Sequence, residues 1–257
     1  MVMNNNGNGR RYGLLQAAKD PEYVKKMYGG YLKVYAEAFG EEGASWDLFR
    51  VCEGEFPEIS ELHKYDGFVV SGSSNDAFGN DYWILKLCFI LQILDAMEKK
   101  ILGICFGHQV LCRALGGRVG RAKRGWDIGI TQVSFAKDRA PLWYLDDHHN
   151  MPSSLSIIEI HQDEIFEVPV GANVIASSDK TGVEIFVIED HILGIQGHPE
   201  YNKDILFNLI DRLLGMDKIE KRFAEEVKCR VEFVEPDRKC WEKICRNFLR
   251  VHHKICD

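Results

Sequence analysis

Short, wholly apolar runs, each followed by a stretch with helical spacing, recur through the first 115 residues and restrict what this chain can fold into. Tyr12–Ala17 reads as a buried strand, and Pro21 then opens a helical stretch to about Phe39. Further strands are expected around Asp47–Val51, at Gly67–Ser71 (GFVVS) and at Ile101–Ile104. Runs this short and this apolar suit strands covered on both faces. Between them, Ile84, Leu87, Cys88, Leu91 and Leu94 follow helical spacing within Asp81–Lys99, and Phe106–Leu115 is helical up to Gly116-Gly117. Such alternation predicts an α/β fold with a mostly parallel central sheet flanked by helices, whose sites form at the carboxyl ends of the strands.

Beyond Gly117 the texture changes to Val-, Ile- and Thr-rich segments: Ile128–Phe135, Leu155–His161, Val174–Ser177, Val183–Ile188 and Ile192–Gln196. These predict mixed or antiparallel strands that close the sheet. Three helical stretches follow, marked by Ile205 to Leu213, by Ile219, Phe223 and Val227, and by Trp241, Ile244 and Phe248. The expected organisation is a disordered tail over 1–10, a catalytic domain over 11–214 and a helical extension over 215–257 packed on it.

The 257 residues fit one α/β core. With 32 Lys and Arg against 39 Asp and Glu, the net charge of −7 argues against a nucleic-acid partner. The most apolar helical stretch, Trp83–Met97, is broken by Lys86, Gln92 and Asp95, so no membrane span is expected. The Asn/Gly-rich start lacks the apolar stretch of a signal peptide, which makes a cytosolic location the expectation. Eight scattered cysteines without paired spacing read as free thiols.

Chemistry enters at Gly103-Ile104-Cys105-Phe106-Gly107. A G-x-nucleophile-x-G sequence between a strand and a helix has the form of an elbow, in which small residues permit a sharp turn that projects the central side chain. The helix N-terminus favours thiolate, and the Phe106 N–H is placed to donate to an oxyanion, with a second donor expected from the loop around Gly72 and Ser73. A proton carrier is needed, and nine histidines are available. His198 stands out, because Gly197-His198-Pro199-Glu200 follows an apolar strand and an extended segment would put Glu200 on the same side as His198. That is the arrangement of a base and its orienter.

These residues resemble a known family, the class I glutamine amidotransferases, whose nucleophile motif G-x-C-x-G-H-Q stands here as Gly103 to Gln109 and whose His-Pro-Glu stands as His198-Pro199-Glu200. Within it, YVKKMYGGY (23–31), KYDGFVVSGSSNDAF (64–78), GRAKRG (120–125), HQDE (161–164) and IQGHPEYNKDIL (195–206) are similar to the plant gamma-glutamyl peptidases. The resemblance implies a flavodoxin-like catalytic domain, a Cys105–His198–Glu200 triad and hydrolysis of a γ-glutamyl amide. For that group the substrate is glutathione or a glutathione S-conjugate, split into glutamate and a Cys-Gly conjugate as in sulfur-containing defence metabolism. It implies a stand-alone enzyme with no synthase partner, no metal and no organic cofactor. The alternative is a glutaminase subunit that delivers ammonia to a separate synthase.

A γ-glutamyl group is zwitterionic, so its carboxylate wants N–H donors or a cation and its amine wants acceptors. Gln109, His161 and Asp163 are the candidates, and Arg124 is a candidate for the glycine carboxylate of glutathione. His108 is expected to support the elbow. The C-terminal Cys240, Cys245, Cys256, His252 and His253 lack metal-ligand spacing, and His148-His149 reads as an exposed loop. The basic cluster Arg121, Lys123 and Arg124 reads as a solvated turn.

Overall fold

The computed structural model describes residues 9–137 and 152–250. Its strands are β1 (Arg11–Leu15), β2 (Ser45–Phe49), β3 (Gly67–Val70), β4 (Lys100–Ile104), β5 (Arg118–Arg121), β6 (Asp127–Phe135), β7 (Ser154–His161), β8 (Asp163–Glu167), β9 (Asn173–Ser177), β10 (Ile185–Ile188) and β11 (Ile192–Ile195). The helices are α1 (Glu22–Tyr28), α2 (Tyr31–Phe39), α3 (Tyr82–Ala96), α4 (Phe106–Ala114), α5 (Lys203–Gly215), α6 (Lys221–Glu232) and α7 (Arg238–Arg250).

Nine strands form one sheet in the order β2-β1-β3-β4-β11-β10-β9-β6-β7. The first five run parallel, and β10, β9, β6 and β7 continue the sheet antiparallel. This is the α/β class expected, and the parallel part is the part whose strands are apolar on both faces. In β4, Leu102 and Ile104 face a core shared with α2, α5, α6 and α7, whereas Ile101 faces the core beneath α3 and α4. Among the described residues, no helix is long and apolar enough to cross a membrane.

The structure departs from the sequence reading in two places. The single helix expected from Pro21 to Phe39 is two helices, because Gly29 and Gly30 take φ of 77° and 99°. Asp20 then accepts from the Tyr31 N–H at 2.7 Å and starts α2, so a side chain from before the first helix caps the second. The second departure is a two-stranded antiparallel sheet of β5 and β8, which the sequence reading did not anticipate. It carries Arg121 opposite Asp163.

Candidate active site

Cys105 sits between β4 and α4 with φ 53° and ψ −105°, a positive-φ conformation that L residues rarely adopt. Both flanking glycines are required sterically. A Cβ on Gly103 would lie 2.7 Å from the Gly107 carbonyl oxygen, and one on Gly107 would lie 2.2 Å from that of Val70. The Cys105 N–H donates to Ile195 O (2.9 Å), and its carbonyl accepts from the Gln109 N–H (3.0 Å), so the elbow is tied to β11 and to the first turn of α4. As the first residue of that helix, Phe106 has an N–H with no intrahelical acceptor.

β11 is the parallel neighbour of β4, with Ile195 opposite Ile104, and the chain leaving it brings His198 to the same end of the sheet. The His198 N–H donates to Ile158 O at 2.8 Å. Its ring Nδ1 donates to Glu200 Oε1 at 2.9 Å, and the ring stacks on Tyr201 with centroids 4.2 Å apart and planes 4° from parallel. Here Pro199-Glu200 form a turn rather than the extended segment expected, and the turn still brings carboxylate to imidazole. Burial pulls the imidazole's proton affinity down. The Glu200 carboxylate and then the Cys105 sulfur outweigh it and lift the pKa to about 10. The ring therefore holds a proton readily, as a group that takes one from a neighbouring thiol must.

Two residues not anticipated from the sequence complete this network. Tyr35, on α2, donates its hydroxyl proton to Glu200 Oε1 (2.9 Å) and accepts from the Gly72 N–H (3.3 Å). Tyr201 supplies the stacking face. Gly72 owes its identity to the ring, since a Cβ there would lie 2.8 Å from His198 Cε1 and 3.7 Å from the Cys105 Cβ. Its own N–H is engaged by Tyr35.

Cys105, His198, Gly72 and Tyr201 open into a cleft of about 720 Å³ that is also lined by Gln109, His161 and Asp163. Gln109 Nε2 donates to Asp163 O (2.8 Å) and to Gln196 Oε1 (3.0 Å), so its amide nitrogen is held by the protein. His161 Nδ1 donates to Asp163 O (2.9 Å), and burial pushes its pKa down to about 4. The Asp163 carboxyl, lifted to about 6 by burial against the pull of Arg121, pairs with Arg121 Nε at 3.1 Å. Arg124 is not brought to the cleft; its guanidinium donates to the Asp179 carbonyl. Arg121 is likewise no solvated turn residue, because it bridges Asp163 and Asp76.

His108 is wholly buried behind the elbow, with Nε2 against Val183 O (3.1 Å), and burial lowers its pKa to about 3. A Cβ on Gly194 would lie 2.6 Å from its Nδ1, so this neutral ring packs α4 tightly onto β11. Beneath His161, Glu159 Oε2 lies 3.4 Å from its Nε2. Burial, then Glu184 and Asp127, hold the Glu159 carboxyl well above the usual range. Glu184 is raised to about 7, again first by burial.

The seven described cysteines are free. Among the described residues no group of three or more His, Cys, Asp or Glu side chains is arranged to hold a metal ion. His148, His149, His252, His253 and Cys256 lie outside the described residues, as do positions 1–8 of the expected tail.

Comparison with known proteins points to one family. The family described as Glutamine amidotransferase class-I matches residues 23–206. Gamma-glutamyl peptidase 3 of Arabidopsis thaliana is 52% identical over 241 residues, covering 94% of this chain and 97% of the relative. A putative glutamine amidotransferase of Saccharomyces cerevisiae is 35% identical over 207 residues, covering 78% of this chain and 75% of its own. Among solved structures, a glutamine amidotransferase from Thermotoga maritima superposes with a TM-score of 0.70 at 22% identity, covering 95% of this chain and 99% of that one. The chain belongs to the class I glutamine amidotransferase family, beside relatives named gamma-glutamyl peptidases.

Proposed function

We propose that this chain is a cysteine-dependent γ-glutamyl peptidase that hydrolyses the γ-glutamyl amide bond of glutathione or a glutathione S-conjugate. The observation that carries the proposal is the run of contacts from the strained Cys105 elbow through His198 to Glu200, in a cleft large enough for a tripeptide. Support for the substrate comes from relatives at 50–52% identity whose names state that activity.

In the proposed reaction His198 takes the Cys105 proton and the thiolate attacks the γ-carbonyl carbon. The oxyanion is received by the Phe106 N–H and the loop around Gly72, the Gly72 N–H being shared with Tyr35. Imidazolium protonates the departing amine, which leaves as a Cys-Gly product. Water, deprotonated by His198, then opens the γ-glutamyl thioester and releases glutamate. Glu200 keeps the His198 Nδ1 proton in place throughout. The scheme requires neither metal nor organic cofactor.

A glutaminase subunit serving a separate synthase is the second reading. It draws on 29% identity to the glutamine-hydrolyzing GMP synthase of Sulfolobus acidocaldarius, in a match that spans only 55% of this chain. One experiment separates the two: purified parent and Cys105→Ala are incubated with glutathione, a glutathione S-conjugate and glutamine, and glutamate and the truncated product are followed by mass. The parent is expected to release both products from the tripeptides, and the alanine variant to be slower by roughly 10³-fold or more. Equal rates for the two proteins sink the mechanism. Cleavage of glutamine alone, and only in the presence of cell extract, favours the synthase-linked reading.

A further inference from the structure

The two ends of the cleft differ in charge. At one end Arg121 lies between Asp76 (2.8 Å) and Asp163 (3.1 Å), a cation matched by two carboxylates. The other end is built by α5, where Leu209, Arg212, Leu213 and Met216 recur at i, i+3, i+4 and i+7 and so share one face. Lys218, just past the helix, continues that wall. Among the described residues, four Lys and Arg side chains line the cleft: Lys19 pairs with Glu53 (2.9 Å) and Arg121 with its two aspartates, whereas Arg212 and Lys218 have no ion pair there.

This face of α5 overlaps the one that holds the helix in place, since Leu209 lies four positions from the buried Ile205 and Leu213 three from the buried Ile210. Its apolar members are left partly outside the core, with Met216 57% exposed. The sheet order β3-β4-β11 sets Cys105 between the loop carrying Asp76 and the segment that runs into α5. The Arg212 charge acts on the Tyr31 ring, which stacks on Tyr201, itself stacked on His198.

A γ-glutamyl head carries one positive and one negative charge and suits the end that already holds both signs. An amine portion ending in a peptide carboxylate carries an uncompensated negative charge, and its sulfur substituent is apolar. About two residues of extended chain, roughly 7 Å, separate a scissile γ-amide from such a carboxylate, a span that long basic side chains close. We infer that the α5 wall is the leaving-group subsite: Arg212 and Lys218 bind the terminal carboxylate of the amine product, and Leu213 and Met216 hold an apolar sulfur substituent. The inference rests on the γ-glutamyl peptidase reading and adds its selectivity, for carboxylate-ended peptides over the small neutral amide of glutamine. It assigns to Arg212 and Lys218 the task that Arg124, turned toward Asp179, does not meet.

A cation in the last turn of α5 also complements the helix dipole, and a role limited to that would change melting temperature without changing substrate preference. The test therefore reads preference. Arg212→Gln, Lys218→Gln, the double variant and Arg212→Lys are assayed with S-benzyl-glutathione and with the same compound amidated at its glycine carboxylate. The parent is expected to favour the free acid. The double variant is expected to raise KM for the acid about 10-fold or more with kcat changed less than twofold, and to lose the preference over the amide, while Arg212→Lys retains most of it. A preference that survives in the double variant overturns the inference while leaving the peptidase reading intact. γ-Glutamyl-p-nitroanilide, which has no leaving-side carboxylate, is given to the parent alone; if the parent cleaves neither it nor the tripeptides, the peptidase reading fails and the subsite falls with it.

Discussion

Glu200 Oε1 receives two donors at 2.9 Å, the Tyr35 hydroxyl and the His198 ring. Tyr35→Phe removes the first without changing the shape of the wholly buried ring site. Loss of a donor to a charged oxygen is worth about 1.5–3 kcal/mol, so kcat/KM on a γ-glutamyl peptide is expected to fall about 10- to 100-fold. Steady-state kinetics alongside a melting curve checks it; an unchanged kcat/KM in a folded variant shows that Tyr35 is packing alone. That Cys105, His198 and Glu200 meet at one end of the sheet was legible in the sequence, because each belongs to a short local pattern with a steric or stereochemical reason. Tyr35 was not, because its partner is 165 positions away and nothing in a helix sequence marks one tyrosine as reaching a carboxylate. Arg124 lies outside the cleft that its basic run suggested for the converse reason: such a run does not tell which of its members turns inward.

Among the elements, β7 and the residue just before β10 carry the two glutamates that the sequence concealed. A glutamate flanked by β-branched apolar residues reads as the outward-facing position of a strand, yet Glu159 is 0% and Glu184 1% exposed. The strands β5 and β8 were hidden because they are short and their charged residues leave no clean alternation, with β5 exposed or half-buried along its length. The buried carboxyls give a signed pH dependence. Glu184 has a folded pKa of about 7 against an ordinary 4.5, so its contribution to stability is fully present below about pH 4.5 and is lost as pH rises through 7. His161 acts oppositely, since its pKa is lowered from 6.5 to about 4 and stability is lost as pH falls through that window. Glu184→Gln removes the first effect, relaxes the hold on Glu159 in the same direction, and leaves that of His161. Its melting temperature relative to the parent is expected to climb by several degrees between pH 5 and pH 8, and calorimetry across that range showing a flat difference would contradict it.

For the molecule as a whole, the family match ends at residue 206 while the core continues to Leu249. Trp241, Cys245, Phe248 and Leu249 of α7 are all 0% exposed, and Trp241 Nε1 donates to Ser156 O at 3.0 Å. A large apolar side chain buried this fully contributes about 1.5–3 kcal/mol, and several are withdrawn together if the helix is removed. A chain ending at Asp237 is therefore expected not to accumulate as folded protein, as judged by soluble yield and circular dichroism. Sequence periodicity found this helix, but amphipathic spacing says only that one face is buried, not that it closes the underside of the catalytic sheet.

The positive φ at Cys105 has a consequence for descent as well as for chemistry. A conformation of this kind costs a non-glycine residue of order 1–3 kcal/mol, and glycine would adopt it freely. On the proposed mechanism, selection for turnover must hold the cysteine in place against a steady gain in foldability from its replacement by glycine. Lineages released from that demand have a downhill path to a sturdier, silent protein, and the strain at one residue would keep them from drifting back.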